Sequence, residues 1–310
     1  MKFAVIDLGS NTFHLMIVKI SGERFIPSDI LYRESYMTSL SSGGGKTILQ
    51  KNWDDALQTA EKIKSVLNFY HVENIKITGT AVLRTADNRK EFLQQMEAIL
   101  QNPVHVIDGS MEANYIGEGS LLHPVLKEGK HLILDIGGGS TECILLDNGG
   151  IGPKASFHLG IGVLKKMFFT EEVITQKQII AASEYTDKTI STFMEELKNV
   201  PIDSLTGASG TFEAIEKILF GKTEYGIHAN NISISIFKKL YGELIFSDLE
   251  SRLQYSNMPK ERAPLIPVGL FLIHYFINKI NPKEINISHF ALKEGILLEM
   301  LKNTHKNSGR

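Results

Sequence analysis

AVIDLGSNTFHLMIV, running from Ala4 to Val18, and LILDIGGGSTECILL, running from Leu132 to Leu146, are two versions of one pattern. With Asp7 laid over Asp135 they agree position by position: an apolar strand, an Asp, one apolar residue, a run of Gly, Ser or Asn, then a second apolar strand. A Gly-rich turn between two strands can aim consecutive backbone N–H groups at an anion, because residues without a bulky Cβ allow close approach and positive φ. The first turn offers Gly9, Ser10, Asn11 and Thr12; the second offers Gly137, Gly138, Gly139, Ser140 and Thr141. The Asp ending each first strand would repel a phosphate unless a cation lay between them. A single turn of this kind is a common structural hairpin. Two aligned copies facing each other describe a clamp for a phosphate chain with a divalent metal.

The rest of the chain sets limits on that clamp. At 310 residues the prior is two domains. A net charge of −2 provides no global field for a nucleic acid polymer, so an anion site must be local. The single cysteine, Cys143, lies inside an apolar strand; it excludes an internal disulfide and reads as a small buried hydrophobe in a reducing compartment. Asp7 and His14 interrupt the apolar run that a signal peptide needs, and no stretch reaches the roughly 20 apolar residues of a membrane span. A soluble, cytoplasmic protein is expected.

Strand-like runs fall at 2–7, 13–20, 75–80, 104–108, 131–135, 142–147 and 154–159. Helical periodicity runs from Asn52, read as an N-cap, to Tyr70, and again from 89 to 100. Helices are also expected at 171–197, 209–220, 235–246, 261–279 and 290–302, with a fraying polar tail after Leu301. Strands alternating with helices indicate α/β layers with a mixed sheet. The pattern pauses at His123-Pro124 and the second turn restarts it, which places the domains at 1–124 and 125–289. The segment 39–45, SLSSGGG, reads as a connector.

Two acids stand where α/β proteins place their sites, at strand ends. Glu112 follows the strand ending near Asp108, and Glu142 follows the second turn at the position where the first copy has His14. Either carboxylate can accept a proton from water; a Glu at a helix start also complements the helix dipole with no catalytic role. Arg84, after another strand end, can pair with phosphate oxygens. A third loop places Gly207, Ser209 and Gly210 before an apolar helix, a potential anion contact in which Ser209 reads equally as an N-cap. His14, His158 and His228 have no spacing suggestive of a metal site.

DLGSN at Asp7, TAVLRTADN at Thr80, DGSMEA at Asp108, DIGGGSTE at Asp135, GASGTFEAI at Gly207, PKERAPLIPVGL at Pro259 and KEG at Lys293 occur in the order of a known motif set. In this the chain resembles the exopolyphosphatase/guanosine pentaphosphate phosphatase family over nearly its whole length. The resemblance implies two ribonuclease-H-like domains of the actin/sugar-kinase/chaperone-ATPase fold with an interdomain cleft. It also implies that a C-terminal helix, about 290–310, packs back on the first domain. It further implies release of terminal phosphate from polyphosphate or guanosine pentaphosphate, assisted by Mg²⁺. Carried over, Glu112 is the base that activates water and Glu142 the second essential acid. Asp7, Asp135 and Glu142 are the metal carboxylates. Gly9, Ser10, Asn11, Arg84, Gly137, Gly138, Gly139, Ser140, Gly207, Ser209 and Gly210 are the phosphate contacts. Family members are commonly dimers, so a homodimer is the expected assembly.

Three family arginines are missing. Asn114, Val163 and the Ser39–Ser41 stretch stand in their places, with Lys165 and Lys166 near the second. Each loss removes a cation. Longer members also add helical domains that extend a polymer channel, and the expectation here is a short phosphate chain or a nucleotide polyphosphate. A kinase of the same fold, and a guanosine polyphosphate sensor without turnover, are the competing readings.

Overall fold

The computed structural model describes residues 1–22, 25–43, 46–208, 210–221 and 230–308. Ser209, His228 and Gly44-Gly45, all singled out above, lie outside these described residues. The chain divides into two compact units, Met1–Gly119 with Leu292–Arg310, and Ser120–Ala291.

The first unit begins β1 (Lys2–Leu8), β2 (Thr12–Lys19), β3 (Ile30–Met37), α1 (Gln50–Tyr70), β4 (Asn74–Gly79), α2 (Ala81–Thr85), α3 (Arg89–Leu100), β5 (Val104–Val106) and α4 (Gly109–Ser120). Its sheet has the order β3-β2-β1-β4-β5, with β1–β2–β3 an antiparallel meander and β4 and β5 joining in parallel. From Phe3 onward β1 is buried on both faces, which is why it reads as a continuous apolar run. Ala4, Ile6 and Leu8 pack with Ala56, Ala60 and Ile63 of α1 and with Phe92 and Met96 of α3.

The second unit carries β6 (Lys130–Ile136), β7 (Thr141–Asp147), β8 (Gly150–Phe157), α5 (Ile161–Met167), α6 (Gln176–Glu196), β9 (Ser204–Gly207) and α7 (Gly210–Phe220). It continues with β10 (Asn230–Ile232), α8 (Ile234–Leu244), α9 (Leu249–Gln254), α10 (Ile266–Ile280) and β11 (Glu284–Ile287). The sheet order is β10-β11-β9-β6-β7-β8. The meander β6–β7–β8 followed by parallel β9 and β11 repeats the first unit's plan, with β10 added antiparallel at the edge. The fold is therefore a duplicated α/β layer architecture, as the paired turns imply. The last helix, α11 (Leu292–Ser308), belongs to the first unit. Among the described residues no helix is long and apolar enough to cross a membrane.

Several boundaries differ from the sequence expectation for local reasons. Asn52 is not an N-cap: α1 starts at Gln50, and the Asn52 amide instead donates to Thr38 O at 3.1 Å while its Oδ1 accepts from Ser42 at 2.7 Å. The helix expected from 171 starts at Gln176, where Thr175 and Gln178 form a capping box. The one expected from 261 starts at Ile266, because Pro264 disfavours helical geometry in the residue before it. The tail after Leu301 does not fray at once; α11 continues to Ser308. The strand β3 escapes periodicity reading because it is a half-exposed edge strand carrying Arg33 and Glu34, held by pairing with β2.

Gly295 lets α11 approach α4 backbone to backbone: a Cβ there would stand 1.9 Å from Tyr115 O. Gly295→Ala is expected to destabilise the protein by about 1–3 kcal/mol, read from the denaturant midpoint at constant slope. Gly242→Ala in α8, where a Cβ meets nothing within 4 Å, is expected to do the reverse by a few tenths to about 1 kcal/mol.

Candidate active site

The two turns are closed by the same hydrogen bond, Gly9 N to Thr12 O at 3.2 Å and Gly137 N to Ser140 O at 2.9 Å. A Cβ at Gly9 would stand 2.6 Å from Thr12 O, which is why glycine is required there. In both turns other segments engage the carbonyls. Ser10 O accepts from Ser41 N, and Asn11 O from Thr38 N and Ser39 N, each at 2.9 Å. Gly137 O and Gly138 O accept from Ile161 N and Gly162 N in the first turn of α5, both at 2.9 Å. Gly160 makes that approach possible, since a Cβ would fall 2.4 Å from the Gly138 backbone. The amides of Ser10, Asn11, Gly138, Gly139 and Ser140 donate to no protein acceptor among the described residues. Each turn thus points its carbonyls into the protein and leaves a row of N–H groups for an anion.

The segment Thr38–Ser41, read from sequence as a connector, is therefore the brace of the first turn. Its Ser41 hydroxyl also donates to Asn11 Oδ1, at 2.5 Å. The Ser10 hydroxyl is likewise committed: it accepts from Val82 N at 3.1 Å and fixes the start of α2.

In the first unit Glu112 lies in the first turn of α4, whose start is capped by Asp108 Oδ1 accepting from Met111 N at 2.8 Å. Glu112 is 6% exposed, and its Oε2 accepts from Arg84 Nη1 at 2.6 Å. The same guanidinium nitrogen donates to Ile107 O at 3.1 Å. Burial pushes the Glu112 carboxyl above the usual range, opposed by Arg84. Arg84, expected as a phosphate contact, thus has one nitrogen engaged by Glu112 and Ile107.

Asp7, at the end of β1, is 8% exposed and its Oδ1 has no hydrogen-bond partner. Burial raises its pKa to about 7; the Lys293 charge opposes the rise and the Glu112 charge adds to it. Lys293, near the start of α11 and 9% exposed, is a charge beside Asp7 to which the sequence reading gave no role. The KEG motif was its only signal.

In the second unit Asp135 on β6 faces Glu142 on β7 in register, and Glu142 faces Ser156 on β8. Glu142 is 2% exposed and its Oε1 accepts from the Ser156 hydroxyl at 2.7 Å. Thr141 Oγ1 donates to Leu159 O at 3.0 Å and ties the same end of β7 to the chain after β8. Cys143 is buried, with its thiol pushed up by burial and by Glu142, as a packing cysteine should be.

The glycines of the third loop also answer to packing. A Cβ at Gly207 would fall 2.0 Å from the Phe212 ring, and one at Gly210 would fall 2.4 Å from Arg262 Nη2. Arg262, in the PKERAPLIPVGL motif, is thereby a cation beside the start of α7 that the sequence reading left without a role. Of the positions lacking family arginines, Val163 is core, and the Asn114 amide donates to Glu118 within α4 at 3.4 Å. Lys165 lines a cavity of about 320 Å³ with Arg252, Phe169 and Pro264. His14 Nδ1 pairs with Ser35 Oγ at 2.7 Å and His158 is exposed.

No group of three or more His, Cys, Asp or Glu side chains able to hold a metal occurs among the described residues. That is compatible with Mg²⁺, which commonly takes one or two carboxylates with waters and substrate phosphates rather than a protein cage. The buried Asp7 Oδ1, lacking a donor, is the kind of atom such an ion would satisfy.

The Ppx/GppA phosphatase family profile matches residues 23–304. The chain is 30% identical over 313 residues to a guanosine-5'-triphosphate,3'-diphosphate pyrophosphatase of Vibrio vulnificus, covering 99% of this chain and 61% of that protein. It therefore spans about three fifths of the length of the curated relatives it matches. Among solved structures, an exopolyphosphatase from Cytophaga hutchinsonii superposes with a TM-score of 0.89 at 27% identity, covering 98% of each chain. A Ppx/GppA protein of Aquifex aeolicus shares the fold with a TM-score of 0.79 at 23% identity, covering 96% of this chain and 99% of that one.

Proposed function

Because the chain belongs to the Ppx/GppA phosphatase family, we propose that it hydrolyses phosphoanhydrides, releasing the terminal phosphate of short-chain polyphosphate or of guanosine pentaphosphate. The observation that carries this reading is the pair of turns with engaged carbonyls and unpaired amides. Backbone N–H rows grip phosphate oxygens without preference for a base or sugar, which suits a substrate defined by its phosphates. Names of relatives support the two substrate types: a guanosine pentaphosphate-directed pyrophosphatase and an exopolyphosphatase.

In this reading Glu112 takes the proton of the attacking water. Its burial raises its proton affinity, opposed by Arg84, which holds the carboxylate in one orientation. The turn amides of each unit bind and orient phosphate oxygens. Asp7, Asp135 and Glu142 are the carboxylates assigned to Mg²⁺. When bound, the ion would neutralise charge on the phosphate oxygens. The buried position of Val163 and the internal pairing of Asn114 support short chains, since neither leaves a cation where family members have one.

Phosphate release by the purified protein in Mg²⁺ should be measured on tripolyphosphate, long polyphosphate and guanosine pentaphosphate. Turnover of the first or third, with long polyphosphate slower, is expected. Phosphate transfer from ATP that needs an added sugar or carboxylic acid would replace this reading with a kinase. Tight guanosine pentaphosphate binding without release would make the chain a sensor.

A further inference from the structure

Matched rows of side chains cross the two antiparallel meanders. In the second unit Asp135, Glu142 and Ser156 stand opposite one another on β6, β7 and β8. In the first, Asp7, His14 and Ser35 hold the same three places on β1, β2 and β3. In both rows the hydroxyl from the third strand reaches the middle side chain at 2.7 Å, Ser156 to Glu142 Oε1 and Ser35 to His14 Nδ1. The middle residue changed from one copy to the other and its hydroxyl partner stayed.

We propose that Ser156 is a positioning residue for phosphate release: its hydroxyl fixes the Glu142 carboxylate in the orientation the reaction uses. The proposal rests on the reading of Glu142 as a working acid. A glutamate has three side-chain torsions, and its terminal one is broad, so strand register alone does not fix the carboxylate plane. A hydroxyl donating from the neighbouring strand does. The frame behind the hydroxyl is firm: the Thr141–Leu159 bond locks the adjacent rung, and the β7–β8 irregularity lies further along, between Ile144 and Leu146. Ser156 belongs to no Gly-rich turn and to none of the quoted motifs, so nothing in the sequence marks it.

The test combines kinetics with a crystal structure. Ser156→Ala is expected to lower kcat on tripolyphosphate about tenfold with KM within about twofold, while Ser156→Thr, which keeps the hydroxyl, recovers most of the loss. In a Glu142→Gln background Ser156→Ala should add less than about twofold, because the two residues act as one unit. An undiminished loss in that background, or wild-type kcat in Ser156→Ala, overturns the proposal. The crystal structure of Ser156→Ala gives a readout independent of turnover: the Glu142 carboxylate should leave its present orientation while β7 and β8 stay in place. If it does not move, Ser156 positions nothing, whatever the activity. If the wild type releases no phosphate from any substrate, the hydrolase reading fails, and the Glu142 orientation still decides the role of Ser156.

Discussion

Glu112→Gln should lower kcat for phosphate release by about 10²–10⁴-fold with KM little changed, the usual span for loss of a general base. The substitution keeps the size and shape of the side chain and removes its ability to take a proton. The fold has good reason to tolerate it. The start of α4 is capped by Asp108, and Arg84 still donates to Ile107 O, so neither element depends on the carboxylate alone. A neutral amide also removes a charge that raises the proton affinity of Asp7, so metal binding by Asp7 should not suffer. Steady-state phosphate release and equilibrium binding of a non-hydrolysable polyphosphate analogue separate the two effects. Near-normal turnover in the variant would show that Glu112 is not the base. A collapse in binding instead would move it to the substrate contacts.

The duplicated plan was legible because its signals are local. β1 and β6 are buried on both faces and read as apolar runs, and each Gly-rich turn follows within a few residues. What the turns are for depended on contacts far apart in the chain. Their carbonyls are engaged by Thr38, Ser39 and Ser41 in one case and by the start of α5 in the other, and neither segment has a composition that announces it. Lys293 reaches Asp7's surroundings from the opposite end of the sequence. The third loop places a second demand on its glycines. Its glycines resemble a phosphate cradle, yet Gly207 makes room for Phe212 and Gly210 for Arg262. A glycine required by a ring or a guanidinium looks the same in sequence as one required by an anion.

Asp7→Asn should abolish Mg²⁺-dependent turnover and at the same time stabilise the metal-free protein above pH 7. Asp7 carries a buried oxygen without a donor, and its pKa of about 7 lies well above the 3.8 of an unperturbed aspartate. A carboxyl with a raised pKa binds its proton more tightly in the folded state, so the wild type loses stability as pH rises. The loss begins near pH 4, where the unfolded chain ionises, and is complete once the folded state ionises near pH 7. Below pH 4 that gain is absent, and the amide's unpaired groups leave the variant no more stable than the wild type. Above pH 7 the shift corresponds to at most roughly 4 kcal/mol, from which the new amide's unpaired groups subtract about 1–3 kcal/mol. A gain of order 1 kcal/mol or more in urea denaturation at pH 8, absent at pH 3.5, is the expected result. Added Mg²⁺ should narrow the gap by raising the midpoint of the wild type alone, since only the carboxylate form gains from the ion. A variant less stable than wild type at pH 8 without metal would mean that Asp7 is satisfied by the protein, and its assignment to Mg²⁺ would lose its physical basis.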